Sequence, residues 1–125
     1  MQKFSILSFC LFCLLACATE AAGPQPGELD GKWQIAEAKR NGKLTQTFSN
    51  AYFIFHENGQ LETNYTGEIV QTTYKLDGQS IVQGGEMPMN YTLSEWADSS
   101  VWMNFEMQQF KFEFLLKRES ENPAE

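Results

Sequence analysis

Apolar residues two apart, in short runs set off by turn dipeptides, constrain this chain more than any other feature. Val101, Met103, Phe105 and Met107 alternate with Trp102, Asn104, Glu106 and Gln108. Phe110, Phe112, Phe114 and Leu116 oppose Lys111, Glu113 and Lys117 in the same way, and Tyr91 and Leu93 oppose Thr92 and Ser94. A period of two belongs to β-strands with one buried and one wet face. Asn41-Gly42, Asn58-Gly59, Asp77-Gly78, Gly84-Gly85 and Asp98-Ser99 punctuate the runs. Asn-Gly and Asp-Gly suit tight hairpins, whose central residues need positive φ. The spacing predicts eight strands, at about 32–40, 51–57, 60–66, 68–76, 80–84, 88–96, 100–107 and 109–117, and no helical period of useful length intervenes.

Sequential hairpins with one wet face make an antiparallel meander, and eight such strands can close and so remove their exposed edges. Ten Phe, four Tyr and three Trp supply bulk for the interior. Residues 44–50 lack alternation and read as a long first connection with a helical turn, lying across one end. The expectation is an all-β fold: an antiparallel up-and-down eight-stranded barrel over residues 29–118, followed by a polar tail, 119–125.

The beginning of the chain carries a different signal. Lys3 precedes an apolar run from Phe4 to Ala16 that only Ser5 and Ser8 interrupt. The run is too short to span a bilayer, which takes about 20 apolar residues, and it has the form of a cleaved signal peptide, residues 1–16. Leu14-Leu15-Ala16-Cys17 resembles the lipobox of bacterial lipoproteins. The resemblance implies that Cys17 is acylated and becomes the first residue of the mature chain. Acyl chains anchor through about 0.8 kcal/mol per buried methylene. Cys10 and Cys13 leave with the signal, so Cys17 is the one cysteine remaining and acylation removes a free thiol from an oxidising compartment. Cleavage after Ala18 or Ala22, giving a soluble secreted protein, is the alternative. Residues 17–28 contain no large apolar side chain and read as a lipidated flexible tether. The implied location is the bacterial cell envelope, at the outer membrane, facing the periplasm or the surface.

Gly31-Lys32-Trp33, at the start of the first predicted strand, resembles the G-x-W opening of lipocalins and of small bacterial lipocalin-like domains. Phe53-Ile54-Phe55-His56-Glu57-Asn58-Gly59 and Tyr74-Lys75-Leu76-Asp77-Gly78 resemble two of their hairpins. The resemblance spans nearly all of residues 29–118, although classical lipocalins are considerably longer. It implies structural roles for Gly31, Trp33 and Arg118: the Trp plugs the barrel base and a basic residue at the end of the last strand packs on it, a contact worth about 0.5–2 kcal/mol.

Function is less constrained. The chain carries 9 basic and 16 acidic residues; without Lys3 the balance is 8 against 16, or −8. Such a surface repels nucleic acid, whose binding needs the opposite arrangement. The one His, His56, precedes a turn, and no nucleophile elbow, phosphate loop or paired metal-ligand spacing occurs, so no enzyme activity, cofactor or metal is expected. Met87-Pro88-Met89 with His56 is the nearest approach to a soft-metal set and reads first as packing. Two functions remain open. One is a barrel that takes a small hydrophobic or amphipathic ligand, with Phe53, Phe55, Trp96, Trp102, Phe105 and Phe112 as candidate wall residues. The other is an envelope protein-interaction module (inhibitor, immunity-type or accessory) with a filled barrel, using acidic and aromatic outer residues.

Overall fold

Tight turns lead the chain back on itself again and again, and the computed structural model, which describes residues 23–119, shows the outcome. Nine strands form in order: β1 (Gly31–Arg40), β2 (Lys43–Leu44), β3 (Tyr52–Phe55), β4 (Gln60–Thr63), β5 (Val70–Asp77), β6 (Ser80–Gln83), β7 (Met89–Ser94), β8 (Ser100–Met107) and β9 (Phe110–Arg118). All pairings are antiparallel, β3 to β9 each pair with the next, and β1 pairs with both β3 and β9. The described residues are therefore all-β: an eight-stranded closed up-and-down barrel of β1 and β3–β9. The ninth strand, β2, adds a two-residue hairpin to the far end of β1.

Turn chemistry explains the connections. Asn41 and Gly42 both have positive φ, 53° and 84°, as the two-residue β1–β2 turn requires. Gln108 and Gln109 turn β8 into β9 with φ of 55° and 74° and no glycine to ease the conformation, so no turn dipeptide advertises this hairpin. Residues 44–50 were expected to include a helical turn. They form isolated turns instead, in which the Ser49 N–H donates to the Gln46 carbonyl (3.2 Å) and the Ala51 N–H to that of Phe48 (3.1 Å). Thr45 and Thr47 engage one another and their own backbone, a local alternative to helix that threonine favours.

β1 is the seam of the barrel. Its first residues lie opposite both β3 and β9, and a bulge between Ile35 and Glu37 then bends it away from β3. β5 also divides its pairing: Val70–Thr73 face β4, and Tyr74–Asp77 face β6. Its inward residues are accordingly only half-buried.

Trp33, at the base of this seam, has no solvent exposure, and its indole N–H donates to the Leu29 carbonyl (2.9 Å). Arg118 lies opposite Trp33 in the β1–β9 register, with its guanidinium 4.3 Å from the indole centre. That guanidinium also donates to three carbonyls: Asp30 (2.7 Å), Glu28 (2.6 Å) and Asp98 (2.9 Å). Gly31 has φ of 121°, and an added Cβ would sit 3.4 Å from the Arg118 Nη1. Residues 23–28 were expected to be free tether. Instead Pro24 is buried and Arg118 grips the Glu28 carbonyl, so this part of the segment is laid against the barrel base.

Two consequences are measurable by urea unfolding. Trp33→Ala removes a fully buried indole and is expected to cost about 3–5 kcal/mol; Arg118→Lys, which keeps the charge but loses the planar fork, should cost less. Gln109→Gly should instead raise stability by about 1 kcal/mol by relieving a left-handed conformation.

Candidate functional site

Alternation sorts the side chains of the closed barrel into an interior set and an outer set. Phe53, Phe55, Phe105 and Phe112 point inward and are buried. They meet Phe114, Tyr65 and Tyr91 in a continuous aromatic cluster. Phe53 and Phe55 stack at 6.0 Å, Tyr91 meets Phe105 edge-on at 5.0 Å, and Phe105 stacks on Phe112 at 5.3 Å. Such ring pairs add about 0.5–1.5 kcal/mol each beyond their buried area. At the end opposite Trp33, Phe48 from the β2–β3 connection reaches over Phe114 (4.9 Å) and Phe112 (5.6 Å).

A chain of hydrogen bonds runs through this apolar packing. Tyr65 and Tyr91 share a hydroxyl contact of 2.8 Å. Tyr91 donates to the Gln83 Oε1 (2.6 Å), and Gln83 donates to the Met87 carbonyl (2.8 Å). Among the described residues no buried side-chain nitrogen or oxygen lacks a partner. Burial pushes the phenol of Tyr65 above its ordinary value and that of Tyr91 well above it.

The remaining two candidate wall residues stand elsewhere. Trp96 follows β7 and packs on Trp33 at the base, with ring centres 5.8 Å apart. Trp102 is corrected from wall to outer surface: it occupies the opposite parity from Val101 and Met103 on β8, and the Lys39 ammonium lies 5.4 Å from its ring centre. Cys17 lies outside the described residues.

On the outer wall of β7, β8 and β9, Asn90, Thr92, Asn104, Glu106, Lys111 and Glu113, together with Phe105 and Phe112, line an open groove of about 830 Å³ that the Asn41-Gly42 turn borders. Register sets them side by side, with Thr92 opposite Asn104, Asn104 opposite Glu113 and Glu106 opposite Lys111. Lys39, Ser94, Glu95 and Trp102 line a neighbouring depression of about 250 Å³, which shares Asn104 and Glu113 with the groove. The side chains of Asn90, Thr92, Asn104, Glu106 and Glu113 make no hydrogen bond or ion pair with other described residues. Their donors and acceptors face solvent with charges of both signs nearby.

Sequence reasoning placed Asn104, Glu106 and Glu113 on a wet face but did not find the groove. Its only signal was polar residues at matching phase in three consecutive runs. Comparison with protein-family models, with curated proteins and with solved structures returns no match for the chain.

Elsewhere on the surface, the Tyr52 hydroxyl donates to Glu62 (2.6 Å), which also takes a hydrogen bond from Gln71 (3.1 Å). Those bonds hold the Glu62 carboxyl below its ordinary value and raise the Tyr52 phenol. Tyr74 is raised chiefly by burial. All four tyrosines are thus displaced upward from 10.0. A raised phenol favours the folded state below pH 10 and ceases to do so as pH climbs through its folded value, because the unfolded chain deprotonates first. Ultraviolet titration should show the midpoint of tyrosine ionisation above 10 in the native protein and moving down to about 10 in denaturant. Stability should fall along the same alkaline limb.

Proposed function

We propose that this protein is a lipid-anchored bacterial envelope protein, related to the small lipocalin-like domains, whose filled barrel is a non-catalytic scaffold that binds its partner on the outer wall. The observation that carries this reading is the state of the interior. Phe53, Phe55, Phe105, Phe112 and Phe114 occupy the space in which a lipocalin-type ligand would sit. Trp33 and Phe48 cover the two ends, and the buried polar groups already satisfy one another. A small barrel can be filled entirely by its own side chains. A ligand entering it would have to displace ring contacts with no unsatisfied group in return.

The outer wall offers the contrast, an open groove of mixed polar and apolar lining built on paired strands. Strands position side chains more rigidly than loops do, so less ordering entropy opposes binding there. Support for anchoring comes from the apolar run ending at Cys17. The lack of a nucleophile-base pattern, with His56 exposed in the β3–β4 turn, supports a non-catalytic role.

The test is titration of the full protein, extracted in detergent, with a fluorescent fatty acid, alongside mass spectrometry of its N-terminus. The expected results are no saturable probe binding and an acylated Cys17. Stoichiometric, saturable binding would overturn the filled-scaffold reading, and an unmodified Ala at the N-terminus would overturn the anchor.

A further inference from the structure

Connections in an up-and-down barrel fall alternately at its two ends. Those at 56–59, 78–79 and 95–99 share the base with Trp33, and those at 41–51, 64–69, 84–88 and 108–109 form the far rim. The groove over β7–β9 belongs to the far half of the wall, where the Asn41-Gly42 turn borders it and Asn90, Glu106 and Lys111 line it. Of the exposed large apolar residues, Leu44, Ile69 and Phe110 stand on the far rim and Val82 on the wall. The base turns contribute none.

The chain enters at the base, and its entry is fixed there. Trp33 holds the Leu29 carbonyl, and Arg118 holds those of Glu28 and Asp30. Pro24 is buried, and Gly23 lies so close to the β5–β6 turn that an added Cβ would stand 2.9 Å from the Gly78 carbonyl oxygen. The entering segment thus crosses the base from the β5–β6 side to β1. In the ring of eight strands β5 stands opposite β9, so this entry point is across the barrel from the β9 side of the groove. Cys17 is six Cα–Cα steps from Gly23, a reach of about 20 Å even when fully extended. The eight residues of β8, tilted as barrel strands are, raise the wall by about 20 Å before the turns are added. Inverting the barrel over a membrane that holds Cys17 would therefore consume the whole tether, and laying it on β9 would put the barrel's width between Gly23 and the lipid.

We infer that the barrel is held over its own membrane with the Trp33 end and the β5–β6 side toward the lipid, so that the groove and the far rim face away and receive a partner arriving from the aqueous side. The inference rests on the anchor proposed at Cys17 and adds the direction from which the partner of the outer wall comes. Tether length sets this orientation, not attraction to lipid. The base turns carry Glu57, Asp77 and Asp98, which an anionic bilayer repels. Leu44, Ile69 and Phe110, the exposed side chains able to dip into lipid, stand on the rim that the tether holds off. Any tilt that the short tether allows lowers the β5–β6 wall and lifts the wall of β9.

The test reconstitutes the full protein in phosphatidylcholine vesicles that carry a rhodamine-labelled lipid as energy acceptor. Acylation occupies the Cys17 thiol, so a cysteine introduced by Asp77→Cys at the base, or by Lys43→Cys or Glu86→Cys on two sides of the far rim, takes a maleimide donor selectively. All three positions are exposed. Strong transfer to the lipid is expected from position 77, with most of it lost from positions 43 and 86. Inserting about twelve Gly and Ser residues before Gly23 adds about 40 Å of reach and should bring the three positions close to equality. Equal transfer from all three in the unlengthened chain, or stronger transfer from either rim position, overturns the orientation. A difference that survives the insertion overturns it too, since the tether would not be its cause. Mass spectrometry of the same sample separates the two readings: with Cys17 acylated, a failed orientation leaves the anchor standing, whereas an unmodified Ala at the N-terminus removes both.

Discussion

The contact between Arg118 and Trp33 joins the last strand to the first, and the rest of the structure depends on that joining. An antiparallel meander left open would expose the edges of β1 and β9 to any passing strand. The guanidinium covers the indole and at the same time holds three backbone carbonyls, from two separate stretches of chain. Those carbonyls belong to irregular segments with no ladder partner to offer them. A single planar cation with five donors satisfies them together, which an ammonium could not do in the same geometry. Closure then defines an inside and an outside, and every alternating strand acquires one face of each kind.

Once closed, the interior completes itself. Rings from β3, β8 and β9 meet at contact distances, and the turns at either end contribute Leu29 and Phe48. The one polar thread through this core, from Tyr65 through Tyr91 and Gln83 to the Met87 carbonyl, is satisfied end to end. Such a thread specifies its surroundings, because leaving any member unpaired in an apolar core costs about 1–3 kcal/mol. It ties the loop after β6 to the segment that follows β4. A core packed in this way holds the outer wall in a fixed shape.

Much of the fold was legible in advance, for local reasons. Strands with a period of two and turns with Asn-Gly or Asp-Gly carry their signals within a few residues. Alternation located β8 and β9 almost to the residue, and Asn41-Gly42 and Asp77-Gly78 fall at the turns where they were expected. What escaped was non-local. Tyr65 reads as a strand residue yet leaves the ladder to enter the core, and the strand ends at Thr63. β2 is a two-residue strand that exists only because β1 continues past the bulge to meet it. Gln108-Gln109 adopts a glycine-like turn without glycine, imposed by the long β8–β9 ladder on either side. Residues 23–28 look like free linker because nothing in their composition announces that Arg118 waits for the Glu28 carbonyl.

The candidate site divides along the same line. The alternating pattern by itself determined that Phe105 and Phe112 share a face, that Trp102, Asn104 and Glu113 belong to the other, and that eight strands could close. It could not say how far the interior would be filled, since that depends on Phe48 and Tyr65 arriving from loops. Nor could it say that the wet faces of β7, β8 and β9 would form a groove, since concavity comes from the bend and register of neighbouring strands. Periodicity is a property of one strand and is written in its own residues. Packing and surface shape belong to strands brought together from distant parts of the chain, and only closure of the barrel sets them.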